Sequence, residues 1–124
     1  MKKILCIDRE QFILNLLRIK IEGRGYEMIS SVDAEEGFQM AVGEAPDLII
    51  SEILLPTEES GYRFCQKIKG EKRTSKIPLI LLTAKRKDPG ASFTYNIWAD
   101  DYIEKPFSPA ELVPKMEALL KLRK

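Results

Sequence analysis

The chain has 124 residues, 44% of them hydrophobic and 31% charged, with 20 basic against 19 acidic side chains. That size and balance suit a single water-facing domain spanning residues 1–124 with its own core, and they offer no bulk attraction for nucleic acid or a membrane surface. No apolar run approaches the ~20 residues that span a bilayer, and the opening MKKILCIDRE loses its apolar character at Asp8, too early for a secretory leader.

KILCI (3–7) is a short apolar run of strand type, closed by Asp8, Arg9 and Glu10. Ile13, Leu16, Leu17 and Ile21 then mark one face of a helix that Gly23-Arg24-Gly25 terminates. YEMIS (26–30) alternates like an outer strand. Asp33 with Glu36 three residues later has the form of a helix N-cap, and Phe38, Ala41, Val42 and Ala45 supply the next apolar face, which Pro46 closes. DLIIS (47–51) predicts the third strand. After a loop over 56–60, Phe64, Cys65 and Ile68 predict a short helix. IPLILLT (77–83) is apolar throughout, as a strand covered on both faces requires.

KRKDPGASFTYNIWA (85–99) combines Gly90 with a run of weak helix formers, so the fourth helix is expected to be short or irregular. ADDYIEKPF (99–107) holds a short fifth strand. Ser108, Pro109 and Glu111 take the positions of cap, first turn and capping-box acid for a last helix with Leu112, Val113, Met116, Leu119 and Leu120 on its apolar face. Pro114 falls inside that helix and is expected to kink it. Strict alternation of five strands and helices predicts an α/β fold, a doubly wound parallel sheet.

Cys6 sits in a strand pattern and Cys65 in a helical one. Without a secretory leader both are expected as free buried thiols in a reducing cytoplasm. The chain has no histidine, which removes imidazole acid–base chemistry, imidazole metal ligands and any phosphohistidine carried by the chain itself.

Sites in open α/β sheets form at the carboxyl ends of the strands. Those ends carry Asp8, Arg9 and Glu10 after strand 1, Glu52 at strand 3, Thr83-Ala84 at strand 4 and Lys105-Pro106 at strand 5. Three acids, a hydroxyl and two cations would meet at one rim. A carboxylate such as Glu52 at the inner end of a buried strand is costly unless it is paired. Asp47, Asp100 and Asp101 precede strands, at the opposite end, and read as surface acids. The basic run at 85–87 is short and reads as a solvated face.

With KILCIDRE, PDLII, LLTA, ADDYIEKPF and ELVPKMEALL in this order, the whole chain resembles the receiver domain of two-component response regulators. The resemblance implies the flavodoxin-like strand order 2-1-3-4-5. It implies an aspartate at the end of strand 3 that accepts a phosphoryl group from a partner's histidine, two acids after strand 1 that hold a divalent metal, and a hydroxyl and a lysine that bind phosphoryl oxygens. Carried over residue by residue, Asp8 matches the first acid, Thr83 the switch hydroxyl, Tyr102 the switch aromatic and Lys105 the phosphate-binding lysine. The Lys105-Pro106 bond matches a turn that is usually cis. Two positions depart: Arg9 replaces the second acid and Glu52 the phosphoacceptor. TEESG (57–61) is one residue longer than the usual loop before its glycine, and Trp98 stands where a glycine is common.

A fixed guanidinium at Arg9 removes an oxygen ligand and adds positive charge where the metal would sit. Glu52 is one methylene longer than aspartate and is expected to be an internal anion held by Lys105 and by Arg9, which can pair with Asp8 or Glu52. With these departures the resemblance implies a non-enzymatic, phosphorylation-independent pseudo-receiver of a bacterial cytoplasm, with no cofactor. It would act on a protein partner or a linked output domain through the face of the fourth helix, fifth strand and fifth helix, which carries Tyr95, Trp98, Tyr102 and Lys115. Asn96 and Glu117 depart from the charges of a receiver dimer there. The alternative is a conventional Mg²⁺-dependent phosphoacceptor that loads Glu52 slowly, or an acid nearby, from a sensor histidine kinase, with metal at Asp8, Glu10 and Glu52, and so controls a linked output domain. A flavin carrier on the same fold would need a phosphate-cradling loop after strand 1, and DREQF (8–12) puts acids there instead.

Overall fold

The computed structural model describes residues 1–53, 58–83, 99–105 and 107–122. Strands β1 (Lys3–Ile7), β2 (Glu27–Ser31), β3 (Leu48–Glu52), β4 (Leu79–Thr83) and β5 (Asp101–Glu104) pair in parallel in the order β2-β1-β3-β4-β5. Every residue of β3 and β4 is buried, which is why LII (48–50) and LILL (79–82) read as apolar runs rather than alternating ones.

Helices cover both faces. On one, α1 (Gln11–Gly23) and the C-terminal helix α4 (Pro109–Leu122) bury Ile13, Leu14, Leu17, Ile21, Leu112, Met116 and Leu120 against Ile4, Cys6, Ile50 and Leu82. On the other, α2 (Ala34–Glu44) and α3 (Glu58–Gly70) bury Ala41, Phe64, Cys65 and Ile68 against Leu5, Ile7, Ile49 and Leu81. Each large side chain so covered contributes about 2 kcal/mol of transfer free energy.

Several local expectations change. Leu14 takes the core position expected of Leu16, which is 48% exposed. Leu16 lies on a flank with Phe12 and Ile19, also exposed, so α1 carries a second apolar stripe that faces water. The third helix is not short: α3 runs 13 residues and takes in Gly61, which the sequence placed in a loop. The end of α2 is made by Ala45 in the left-handed region at φ 48°, because Pro46 disfavours the right-handed helical conformation at the residue before it. Asp33 caps α2 as expected, accepting the Glu36 N–H at 2.8 Å. α4 continues through Pro114, which lies on its exposed face. The segment 85–98, with its basic run, Tyr95, Asn96 and Trp98, lies outside the described residues, as does Pro106.

The acids at the strand starts are not idle surface charge. Asp47 accepts the Lys3 N–H at 2.8 Å, and Asp100 accepts the Leu79 N–H at 2.7 Å while pairing with Lys69 at 3.0 Å. They satisfy main-chain donors where the ladder has not yet begun.

Both thiols are fully covered and free. Burial pushes the Cys6 thiol far above its ordinary pKa and the Cys65 thiol up to about 12. Thiolate is the reactive form. Ellman's reagent is therefore expected to label neither cysteine of the native protein on the timescale on which guanidinium exposes two, a slowing of at least about a hundredfold.

Candidate functional site

Parallel pairing brings the carboxyl ends of β1, β3, β4 and β5 to one rim. Asp8 leaves β1 with no exposed surface. Its Oδ1 accepts the main-chain N–H of Glu10 at 2.9 Å, and its Oδ2 accepts from Lys105 Nζ at 2.8 Å. Glu52 closes β3 at 4% exposure. Its Oε2 accepts the main-chain N–H of Arg9 at 3.0 Å. Its Oε1 lies 3.4 Å from Arg9 Nε and 3.4 Å from Lys105 Nζ. Glu10 is half exposed, with Oε1 3.8 Å from Lys105 Nζ.

Lys105 reaches this position because its main-chain N–H donates to the Thr83 carbonyl at 2.7 Å, holding the chain to β4 one residue past the end of β5. Burial lowers its pKa, but the hydrogen bond and charge of Asp8 and the charge of Glu52 outweigh burial, and the net shift is upward from 10.5. Lys105 therefore stays an ammonium through the neutral range.

Thr83 is buried at the end of β4. Tyr102 is half-buried and packs against the cluster under α2 and α3. The register sets Tyr102 beside Leu81 and Glu104 beside Thr83, so Thr83 and Tyr102 lie diagonally on one face of the sheet. The structure thus gathers Asp8, Arg9, Glu10, Glu52 and Lys105 into one cluster of charges, with the Thr83 main chain tied to Lys105 and Tyr102 packed on the apolar cluster instead. Arg9, which could have taken either neighbouring acid, takes Glu52.

Sequence reasoning missed two donors, the main-chain N–H groups of Arg9 and Glu10. Each holds one oxygen of a buried acid, and no side-chain pattern announces them.

The resemblance implies a divalent metal at this rim. Oxygens of Asp8, Glu10 and Glu52 lie within 4.8 Å of one another, and carboxylates suit a hard dication. Both oxygens of Asp8 and both of Glu52 are, however, already engaged by Lys105, Arg9 or a main-chain N–H. A dication would have to displace an ammonium held at 2.8 Å and stand beside a guanidinium that cannot lose its charge. The residues present do not fit it.

On the described part of the face formed by β5 and the last helix, charges are engaged internally. Lys115 pairs with Asp101 at 3.1 Å. Glu117 accepts from Arg24 at 3.0 Å and from the Tyr26 hydroxyl at 2.9 Å, tying the last helix to the end of α1 and the start of β2.

The chain matches the response regulator receiver domain family over residues 4–117. It is 37% identical over 120 residues to the alkaline phosphatase synthesis transcriptional regulatory protein PhoP of Bacillus subtilis, covering 97% of this chain and 49% of that protein. It is 36% identical over 121 residues to the DNA-binding dual master transcriptional regulator RpaA of Synechocystis, covering 98% and 50%. The chain spans about half the length of these curated relatives. Among solved structures, a putative response regulator from Chloroflexus aurantiacus superposes with a TM-score of 0.87 at 30% identity, covering 97% of this chain and 98% of that one. The signal receiver domain of a histidine kinase from Syntrophus aciditrophicus gives 0.89 at 31%, covering 100% and 93%. Strand order and these matches agree, and the chain belongs to the response regulator receiver domain family of two-component signalling.

Proposed function

We propose that this receiver is a non-enzymatic regulatory module that works without being phosphorylated, through contact with a protein partner or a linked output domain. The observation that carries this reading is the position of Glu52, whose carboxylate lies between Arg9 and Lys105, 3.4 Å from each side-chain nitrogen. Phosphoryl transfer needs a free nucleophile and a cation that neutralises charge as it develops. Here the carboxylate is engaged, and the cations are fixed parts of the chain already spent on its own acids. Glu52 stands where a phosphoryl-bearing group would meet Lys105, and with Asp8 it engages that lysine.

The relatives' length supports an output domain joined to a chain of this kind; the names of both describe transcriptional regulation, and that of the Synechocystis protein DNA binding. Direct nucleic-acid binding by this chain is not part of the proposal, given its 20 basic and 19 acidic residues. Among the described residues no helix is long and apolar enough to cross a membrane. A bacterial cytoplasmic setting belongs to the same proposal.

A second reading, a Mg²⁺-dependent phosphoacceptor loaded by a sensor histidine kinase, is favoured by the convergence of the Asp8, Glu10 and Glu52 oxygens. Incubation with acetyl phosphate and excess Mg²⁺, followed by intact-mass measurement, separates the two. The expected result is no phosphoryl adduct. An adduct that maps to Glu52 and needs Mg²⁺ would establish the second reading instead.

A further inference from the structure

Two departures distinguish this rim from a metal-binding one, and the structure separates their effects. Glu52 is still a carboxylate directed into the cluster, with oxygens within 4.8 Å of those of Asp8 and Glu10. As an oxygen donor it has been kept. Arg9 is a change of another kind, because it replaces an oxygen ligand with a charge of opposite sign. We infer that Arg9, more than Lys105, sets the exclusion of divalent cations from this site, and that Asp8, Glu10 and Glu52 would bind one beside Lys105 if Arg9 were not there. This rests on the proposed function above and assigns its metal independence chiefly to one side chain.

The geometry shows how Arg9 does it. Its Nε lies 3.4 Å from Glu52 Oε1, whereas the main-chain N–H that holds the other oxygen at 3.0 Å is common to any residue at position 9. The guanidinium therefore lies against the same carboxylate that a dication would need. Its side chain is half exposed, as is that of Glu10, so both meet an ion entering from solvent.

Charge gives a rank order. Three carboxylates face Lys105 and Arg9, leaving one net negative charge. Arg9→Gln leaves two, and Arg9→Asp leaves three while adding an oxygen ligand. Glu52→Asp leaves the charge at one and shortens the donor. Attraction for a dication scales with that charge in a partly buried site, and affinity among calcium and magnesium sites is set by ligand charge and number.

The test is a Mg²⁺ titration of the full chain followed by amide NMR, repeated with Mn²⁺ by electron paramagnetic resonance. Retained spectral dispersion shows that each variant is folded, and Arg9 is exposed enough for its substitution to be tolerated. Arg9→Asp is expected to tighten Mg²⁺ binding by at least about tenfold over wild type, Arg9→Gln by less, and Glu52→Asp not at all. Folded Arg9 variants with no gain, or a gain from Glu52→Asp matching that of Arg9→Asp, would overturn the inference while leaving the proposed function standing. Mg²⁺-dependent phosphorylation of the wild-type protein would instead overturn the proposed function, and a gain on removing Arg9 would still identify what weakens the metal.

Discussion

Lys105→Met is expected to lower stability by about 3 kcal/mol at neutral pH, as loss of one partner from a buried ion pair does. Lys105 Nζ lies 2.8 Å from Asp8, which has no exposed surface, and Arg9 does not reach that acid. Methionine keeps the aliphatic stem but leaves the Asp8 carboxylate with one main-chain N–H as its partner. Glu52 suffers less, because Arg9 still holds it through two nitrogens. The loss should therefore be specific to Asp8. Asp8→Asn combined with Lys105→Met should recover most of it, since removing both charges leaves no unpaired charge buried at position 8.

The pH dependence has a definite sign. The folded-state pKa of Lys105 is raised above 10.5, so its contribution is complete below that value and disappears as pH rises through the folded pKa. Urea unfolding at pH 7, 9 and 11 should show the wild-type advantage over Lys105→Met intact at the first two and shrinking at the third. A variant as stable as wild type at pH 7 would mean that Asp8 has found another partner.

Gly61→Ala is expected to cost about 3 kcal/mol or more, the upper range of overpacking, and to lower Tm by on the order of 10 °C. A Cβ at Gly61 would fall on the Ile53 carbonyl oxygen, 2.5 Å from its carbonyl carbon and 2.9 Å from its Cα. The obstacle is backbone, so no rotamer change relieves it. The first turn of α3 must move away from the end of β3, and Ile53 follows Glu52 directly. The variant should therefore also shift the amide resonances of Glu52 and Arg9. Gly43→Ala is the control. Nothing lies within 4 Å of a Cβ there, and in an exposed helical position alanine should gain about 0.5–1 kcal/mol. Equal melting temperatures for Gly61→Ala and wild type would show that α3 does not sit as tightly on β3 as this contact implies.

Periodicity and local chemistry determined the five strands, the α2 cap at Asp33, the burial of both cysteines and the sheet class, because each depends on residues close in sequence. The same local logic placed Leu16 in the core and Gly61 in a loop. Leu14 and Leu16 lie on opposite sides of the core stripe of α1, and only the packed sheet shows which flank it covers. Gly61 looks like a loop residue until α3 meets β3, after which the absence of a side chain is what permits contact with Ile53.

At the site, the sequence determined which residues would meet, since Asp8, Glu52, Thr83 and Lys105 all follow from strands that end at one rim. It could not decide which cation holds which acid. Asp8 and Lys105 are 97 residues apart in sequence, and Arg9 and Glu52 are 43 apart. Their pairing turns on differences of a few tenths of an ångström and on two main-chain N–H groups whose directions exist only once β1 has turned into α1. Charge type is written in the sequence, but the energy of a charge depends on distance and burial, and the tertiary structure alone sets those.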